Sequence, residues 1–226
     1  MPQKKNYDVI ILGTGPAGLQ AAIHAARKKV SVLVLGKETK SSLFHAHVEN
    51  FCCIFNITGE EMLNVGRQQA ANFGADLLDE DVLSILPDGQ QFKIISESGT
   101  ELICRSLIVA TGTARNKLGA PGEKEFLGRG VSYCVECDAN FFKGEDVVFI
   151  ELGARGVMEL ATHIGIQFDD EMKYIATNKK METNVPGVFA AGDICGPPWQ
   201  MAKAVGEGCV AGIAAATYAK KSKKSD

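Results

Sequence analysis

Apolar residues along the 226-residue chain occur either in short unbroken runs or at helical spacing, and the alternation between the two defines the expected elements. Tyr7 to Leu12 is a nearly continuous apolar run, the pattern of a parallel strand buried on both faces. It enters Gly13-Thr14-Gly15-Pro16-Ala17-Gly18. Leu19, Ala22, Ile23 and Ala26 then share one helical face, and Arg27-Lys28-Lys29 closes the last turn. Val30 to Leu35 reads as a second buried strand, so the chain opens with the βαβ unit of a doubly wound nucleotide-binding sheet.

Thr58-Gly59-Glu60-Glu61 has the form of a capping box and predicts a helix running to about Phe73, with Gly74 as its stop. Short strands are expected near Val82–Leu86, Gln91–Ser96 and Glu101–Cys104, separated by turns at Asp88-Gly89 and Ser98-Gly99. Leu107 to Ala110 returns to the parallel sheet and ends at Thr111-Gly112. Residues 116–146 are irregular, rich in glycine and charge, and contain Cys134-Val135-Glu136-Cys137. A strand is expected at Asp146–Ile150, a helix over 156–164, a strand at Val188–Ala191 and a small-residue helix from Gln200 to Tyr218. Lys220 to Lys224 reads as a solvated tail. The expected fold is α/β: a Rossmann-like domain with a central parallel sheet, flanking helices and a three-stranded antiparallel β-meander.

Composition narrows the partners. Hydrophobic residues are 46% and charged residues 23%, an ordinary balance for a chain that fills a core. With 24 Lys+Arg against 27 Asp+Glu the net charge is -3, which argues against a general nucleic-acid surface. No apolar run reaches the roughly 18 residues of a membrane span. Met1 to Asn6 leads directly into the first strand and leaves no room for a signal peptide. The expectation is a cytoplasmic protein that binds neither nucleic acid nor membrane.

In that reducing setting the seven cysteines read as thiols, ligands or a catalytic pair rather than a disulfide framework. Their odd number leaves at least one without an intrachain partner. Cys52, Cys53, Cys104, Cys195 and Cys209 make no second C-x-x-C, and His45 and His47 are spaced for a strand face, so no metal site is expected. Cys52 and Cys53 read as small apolar side chains close in sequence to Asn50.

Gly13, Gly15 and Gly18 form G-x-G-x-x-G between a strand and a helix. Gly13 suits the tight turn, Gly15 the approach of backbone to a pyrophosphate, and Gly18 the close packing of helix on strand. The acidic residue expected at the end of the second strand is replaced by Leu35-Gly36-Lys37, which leaves Glu38, Lys37 or the backbone to hold a ribose.

Ala110-Thr111-Gly112 and Val188-Phe189-Ala190-Ala191-Gly192-Asp193 each end a strand, and the three-stranded meander precedes the first of them. With Gly119-Ala120-Pro121-Gly122-Glu123, Gly128-Arg129-Gly130-Val131-Ser132 and Cys134-Val135-Glu136-Cys137-Asp138, the chain resembles the two-dinucleotide-binding flavoproteins. More narrowly it resembles the low-molecular-weight thioredoxin reductases, over nearly every residue from Tyr7 to Tyr218. The resemblance implies FAD, held by Gly13, Thr14, Gly15, Pro16, Ala17, Gly18, Gly36, Lys37, Glu38, Asn50, Val82, Ala110, Thr111, Gly112, Gly192, Asp193, Gln200, Met201 and Ala202. It also implies that Asp193 bonds the ribityl chain, that Gln200-Met201-Ala202 covers the isoalloxazine ring and that Asn50 lies beside it. Cys137 would face the flavin, Cys134 would exchange with the substrate disulfide, and Asp138 would handle the proton. Trp199 stands where that family usually has arginine, so the single tryptophan either sits near the flavin or packs in the interior.

In the family the cysteine pair begins a second nucleotide-binding domain. Here Glu151-Leu152-Gly153-Ala154-Arg155-Gly156 lacks the first two glycines in register, and only about 20 residues separate the two FAD-domain halves, against about 30 for one βαβ unit. The expected organisation is one FAD-binding domain over 1–226, with halves 1–126 and 147–226, a C-x-x-C connector at 127–146 and no NAD(P)H domain. Gly130 to Glu145, tethered at both ends, cannot rotate as a domain, yet its sixteen residues extended still span roughly 50 Å.

The expected activity is FAD-dependent thiol–disulfide oxidoreduction with a donor other than NAD(P)H, such as ferredoxin. The substrate would be a thioredoxin-like protein or a small disulfide, and the resemblance implies a homodimer. A dithiol oxidase using oxygen and a non-catalytic FAD-binding or redox-sensing module are the alternatives.

Overall fold

A seven-stranded sheet carries the core of the computed structural model, which describes residues 5–115, 117–133, 142–148, 150, 154–156 and 162–224. Its parallel part runs in the order β5 (Ala75–Leu78), β2 (Val32–Leu35), β1 (Asn6–Leu12), β8 (Glu101–Val109) and β11 (Val188–Ala190). Both faces are covered, which is why these strands read as unbroken apolar runs. Val9, Ile11, Val34, Ile108 and Phe189 pack under α1 (Pro16–Arg27) and α3 (Met201–Ser222). On the opposite face Ile10, Leu12, Leu33, Leu107 and Val188 join Ile85 and Ile94 of the meander and Ile164, Ile166 and Ile175.

The meander consists of β6 (Val82–Asp88), β7 (Gln91–Ser96) and the first half of β8. Glu101–Cys104 and Leu107–Ala110, expected as two strands, are one. β8 runs beside β1 along most of its length, while its other edge meets β7 at residues 101–104 and β11 at residues 107–109.

The strand expected at Asp146–Ile150 is absent from its described residues. Asp146 to Val148 is irregular, and with Val147 67% and Val148 89% exposed the stretch buries no apolar face as a core strand would. The helix expected over 156–164 lies mostly outside the described residues, and Gly156 itself belongs to a strand. The tail expected at Lys220–Lys224 begins inside a helix, since α3 continues to Ser222.

The capping box is formed in both directions at α2 (Gly59–Asn72). The Glu61 N–H donates to Thr58 Oγ1 at 3.2 Å, and the Thr58 N–H donates to Glu61 Oε2 at 3.0 Å. Between α1 and α3 the backbones nearly touch. A Cβ added to Gly208 would lie 2.2 Å from the Ala17 carbonyl oxygen, and one added to Gly212 would lie 2.3 Å from that of Ala21.

The segment entering the cysteine region is organised by one carboxylate. Glu123 accepts from the N–H groups of Leu118 (3.0 Å) and Gly119 (2.6 Å) and from the Tyr133 hydroxyl (2.7 Å). The Tyr133 bond leads the causes that hold the Glu123 carboxyl below its usual range, while burial first and Glu123 second push Tyr133 up to about 12. On either side of the connector, β9 (Thr113–Arg115) and β10 (Ala154–Gly156) pair antiparallel and bring the two halves of the chain together.

Two outcomes follow for stability. Gly212→Val is expected to lower the thermal midpoint by several degrees, since overpacking costs about 1–3 kcal/mol and each kcal/mol is about 2–4 °C at this size. Gly206→Ala, with nothing near its added Cβ, should hold or raise the midpoint in the same calorimetric scan. For Glu123 the depressed folded pKa makes its contribution complete above the ordinary carboxyl value and lost as pH falls through the folded one. The midpoint gap between wild type and Glu123→Gln should therefore close on acidification from neutral pH.

Candidate functional site

The site is built where β1 ends. Gly13 has φ +116, and a Cβ there would lie 2.2 Å from the Ala110 carbonyl oxygen. A side chain at this position would thus be strained and would also clash with the end of β8. The Gly13 N–H donates to the Leu35 carbonyl at 2.8 Å, and the Ala110 N–H donates to that of Leu12 at 2.8 Å. A Cβ on Gly18 would meet the Gly13 carbonyl oxygen at 1.9 Å, so the first turn of α1 lies directly on the strand end. Gly15 is the N-cap of α1, Pro16 and Ala17 open the helix, and Thr14 is buried. No side chain caps this N-terminus and no acid lies in its first turn, so its amides keep their positive potential for an anion.

One rim of the cradle comes from β2. Gly36 lies against Gly13, its added Cβ 3.3 Å from the Gly13 Cα. Lys37 turns toward the meander, with Nζ 2.6 Å from Glu97 Oε2 and 3.6 Å from Asp81 Oδ2. The Glu97 hydrogen bond leads the causes that raise its pKa. Val82 opens β6 directly after Asp81. Glu38 Oε2 is 3.2 Å from Arg67 Nε, but its Oε1 is buried without a hydrogen-bond partner. Of the three alternatives left open at the end of β2, Lys37 has its ammonium occupied and Glu38 has a free acceptor.

The opposite rim is the end of β8, where Ala110, Thr111 and Gly112 follow the strand and Thr111 Oγ1 is also buried without a partner. After β11, the added Cβ of Gly192 would lie 3.0 Å from Ala17 Cβ, and Asp193 begins a short 3-10 turn. Gly192 is fixed by two residues not anticipated from sequence. Its N–H donates to Glu207 Oε2 at 2.8 Å, and its carbonyl accepts from Lys203 Nζ at 3.0 Å. Lys203 and Glu207 also pair with each other at 3.2 Å, one helical turn apart, and that spacing was the available signal.

Asn50 and Gln200, 150 positions apart, meet directly: Asn50 Nδ2 donates to Gln200 Oε1 at 3.0 Å. Met201 and Ala202 begin α3 just beyond, and Trp199 is half-buried with its ring 6.3 Å from that of Tyr174. Cys134, Cys137 and Asp138 lie outside the described residues. Burial pushes the Cys104 thiol up, and burial followed by Glu207 pushes Cys195 up to about 12, so both stay protonated and unreactive at neutral pH. Among the described residues no three His, Cys, Asp or Glu side chains are grouped to hold a metal ion. No described helix is long and apolar enough to cross a membrane.

The donor set fits a dinucleotide. Gly13, Gly15 and Pro16 stay partly exposed at the strand end, and the helix that starts there has no side-chain cap. A buried polar atom without a partner costs about 1–3 kcal/mol. Glu38 Oε1 and Thr111 Oγ1, one on each rim, are therefore positions that a hydroxyl-bearing ligand would satisfy.

Residues 7–145 and 144–208 match the pyridine nucleotide-disulphide oxidoreductase family. Thioredoxin reductase of Bacillus subtilis is 38% identical over 161 residues, 70% of this chain, which spans about half (51%) of that relative's length. Thioredoxin reductase of Listeria innocua aligns at 27% identity over 310 positions, covering 99% of this chain and 97% of the relative. The alignment is longer than this 226-residue chain, so the Listeria protein carries a stretch that has no counterpart here. Among solved structures, a ferredoxin-flavin thioredoxin reductase from Clostridium acetobutylicum is 25% identical with a TM-score of 0.71, covering 98% of this chain and 100% of that one. On these matches and the fold that accompanies them, the chain belongs to the pyridine nucleotide-disulphide oxidoreductase family, with thioredoxin reductases as its relatives.

Proposed function

We propose that the chain is an FAD-dependent thiol–disulfide oxidoreductase of thioredoxin reductase type, fed by a donor other than bound NAD(P)H. The observation that carries the reading is the cradle at the end of β1, flanked by the buried, unpartnered oxygens of Glu38 and Thr111. FAD, when bound, supplies a two-electron redox centre. The backbone N–H groups at the N-terminus of α1 would bind its pyrophosphate, Glu38 a ribose hydroxyl and Asp193 the ribityl chain. Asn50 and Gln200, already joined, would hold their amides toward the flavin end.

The exchange chemistry belongs to Cys134, Cys137 and Asp138. The Cys134 thiolate attacks one sulfur of the substrate disulfide, forming a mixed disulfide and releasing one substrate thiolate. Cys137 then attacks Cys134, expels the second substrate thiol and closes the Cys134–Cys137 disulfide, while Asp138 supplies the proton to the leaving sulfur. The substrate is proposed to be a thioredoxin-like protein or a small disulfide, met in the cytoplasm by a homodimer.

The donor follows from what the connector leaves out. In the proposed organisation the halves 1–126 and 147–226 make one FAD-binding domain joined by the C-x-x-C connector 127–146. Two observations support it: the stretch of the Listeria protein without counterpart here, and the β9–β10 pair that joins the halves directly. Without a nicotinamide-binding domain, a protein donor such as ferredoxin is the reading favoured, in keeping with the likeness to the Clostridium acetobutylicum structure.

Anaerobic titration of the purified chain tests this through the flavin spectrum. Dithiothreitol should bleach the flavin or raise a long-wavelength band, Cys137→Ser should abolish that response, and NADPH should leave the spectrum unchanged. Bleaching by NADPH would overturn the donor assignment. A flavin indifferent to dithiol would leave only a binding module, and rapid peroxide formation on adding dithiol in air would make the protein an oxidase.

A further inference from the structure

Two adjacent thiols at residues 51–54 take no part in the chemistry above. The Ile54 N–H donates to the Phe51 carbonyl at 3.1 Å, which closes a four-residue turn with Cys52 and Cys53 at its corners. Cys53 has φ +69, a conformation that a turn of this kind ordinarily gives to glycine. Both side chains are exposed, and their sulfurs lie 3.4 Å apart.

The sequence expectation of two small apolar side chains fails here, because packing accounts for a buried cysteine and not for a solvent-exposed pair. The turn rests on a fixed stem. β3 (His47–Val48) pairs with β4 (Ile57–Thr58), and His47 Nε2 and Asn56 Oδ1 are 2.8 Å apart. In this loop Cys53 and Asn56 (φ +57) are both left-handed, and asparagine tolerates that conformation far better than cysteine, so the strain falls mainly on Cys53 beside its thiol neighbour.

We infer that Cys52 and Cys53 are a second thiol–disulfide exchange site, a vicinal pair that reacts with small exposed disulfides of the glutathione class. One thiol of the pair gives up its proton and its thiolate attacks a sulfur of glutathione disulfide. This forms a mixed disulfide and releases one glutathione thiolate, which takes up a proton. The second thiolate of the pair then attacks the protein sulfur of that mixed disulfide and expels the second glutathione. The small disulfide gains two electrons and two protons, and the pair loses them as it closes.

The 3.4 Å contact makes the second attack intramolecular, and a shift of little more than an ångström reaches the bonding distance of about 2.05 Å. Neighbouring Cα atoms across a trans peptide are only about 3.8 Å apart, below the usual disulfide range of about 4.4–6.8 Å. The closed ring is therefore strained and easily reopened by thiols, the behaviour of an exchanging pair rather than a structural bridge.

Peptide mapping of the intact chain tests the assignment, and it does so independently of Cys134 and Cys137. Trypsin releases Ser41–Arg67, which contains Cys52 and Cys53 and no other cysteine. The reduced, folded chain is exposed to glutathione disulfide, quenched with an alkylating agent and digested. The fragment should lose two hydrogen atoms, carry no glutathione and take up no alkyl group. In Cys53→Ser the same fragment should keep one glutathione on Cys52, because the resolving sulfur is gone. Glutathione retained on the native fragment, two alkyl groups, or a disulfide to another fragment would overturn the proposal. Failure here leaves the flavin titration untouched.

Discussion

Everything in the site depends on one backbone contact at the end of β1. Gly18 packs on the Gly13 carbonyl, and Gly13 packs on that of Ala110, at distances that leave no room for a Cβ at either glycine. The contact fixes the N-terminus of α1 against the sheet, so its amides face outward at a fixed height above the strands. From there the constraint spreads from helix to helix. Gly208 and Gly212 seat α3 on α1, and Gly192 is thereby brought against Ala17. A helix layer built this way is stiff, because a close-packed contact has no side-chain rotamer through which to relax.

The second organising feature is the forked strand β8. By pairing with the meander along one half and with β11 along the other, it sets the ends of two strands side by side. Ala110–Gly112 and Gly192–Asp193 thus flank the α1 N-terminus from chain positions some eighty apart. On the meander side Glu97 and Asp81 engage the Lys37 ammonium. That leaves Glu38, held at one oxygen by Arg67, as the acid with a vacant acceptor at the end of β2.

Much of this was legible in the residues because it is local. Unbroken apolar runs marked doubly covered strands, Thr58 to Glu61 marked a helix start, and G-x-G-x-x-G in its strand–helix setting marked the cradle. What stayed hidden depends on pairing across the chain. β5 is only the four residues Ala75–Leu78, and its placement rests on β2 and on Asp76 accepting from the Tyr7 hydroxyl. The apolar Val147 and Val148 resembled a strand, but both are exposed and pack against no described sheet. Choosing among Glu38, Lys37 and backbone required knowing where the lysine turns, and the family resemblance put Asn50 and Gln200 each beside the flavin without implying that the two meet. Cys52 and Cys53 misled because composition cannot tell a buried cysteine from one exposed at a turn.

In the proposed reading the cradle at the end of β1 holds a flavin dinucleotide, with Glu38 on one ribose. Titrating FAD into the flavin-stripped chain, followed by fluorescence quenching, tests it most directly. One FAD should bind per chain, and Glu38→Ala should weaken binding about tenfold or more, because a hydrogen bond to a charged group is worth about 1.5–3 kcal/mol. Saturable binding unaffected by Glu38→Ala, or no saturable binding of FAD at all, would contradict it.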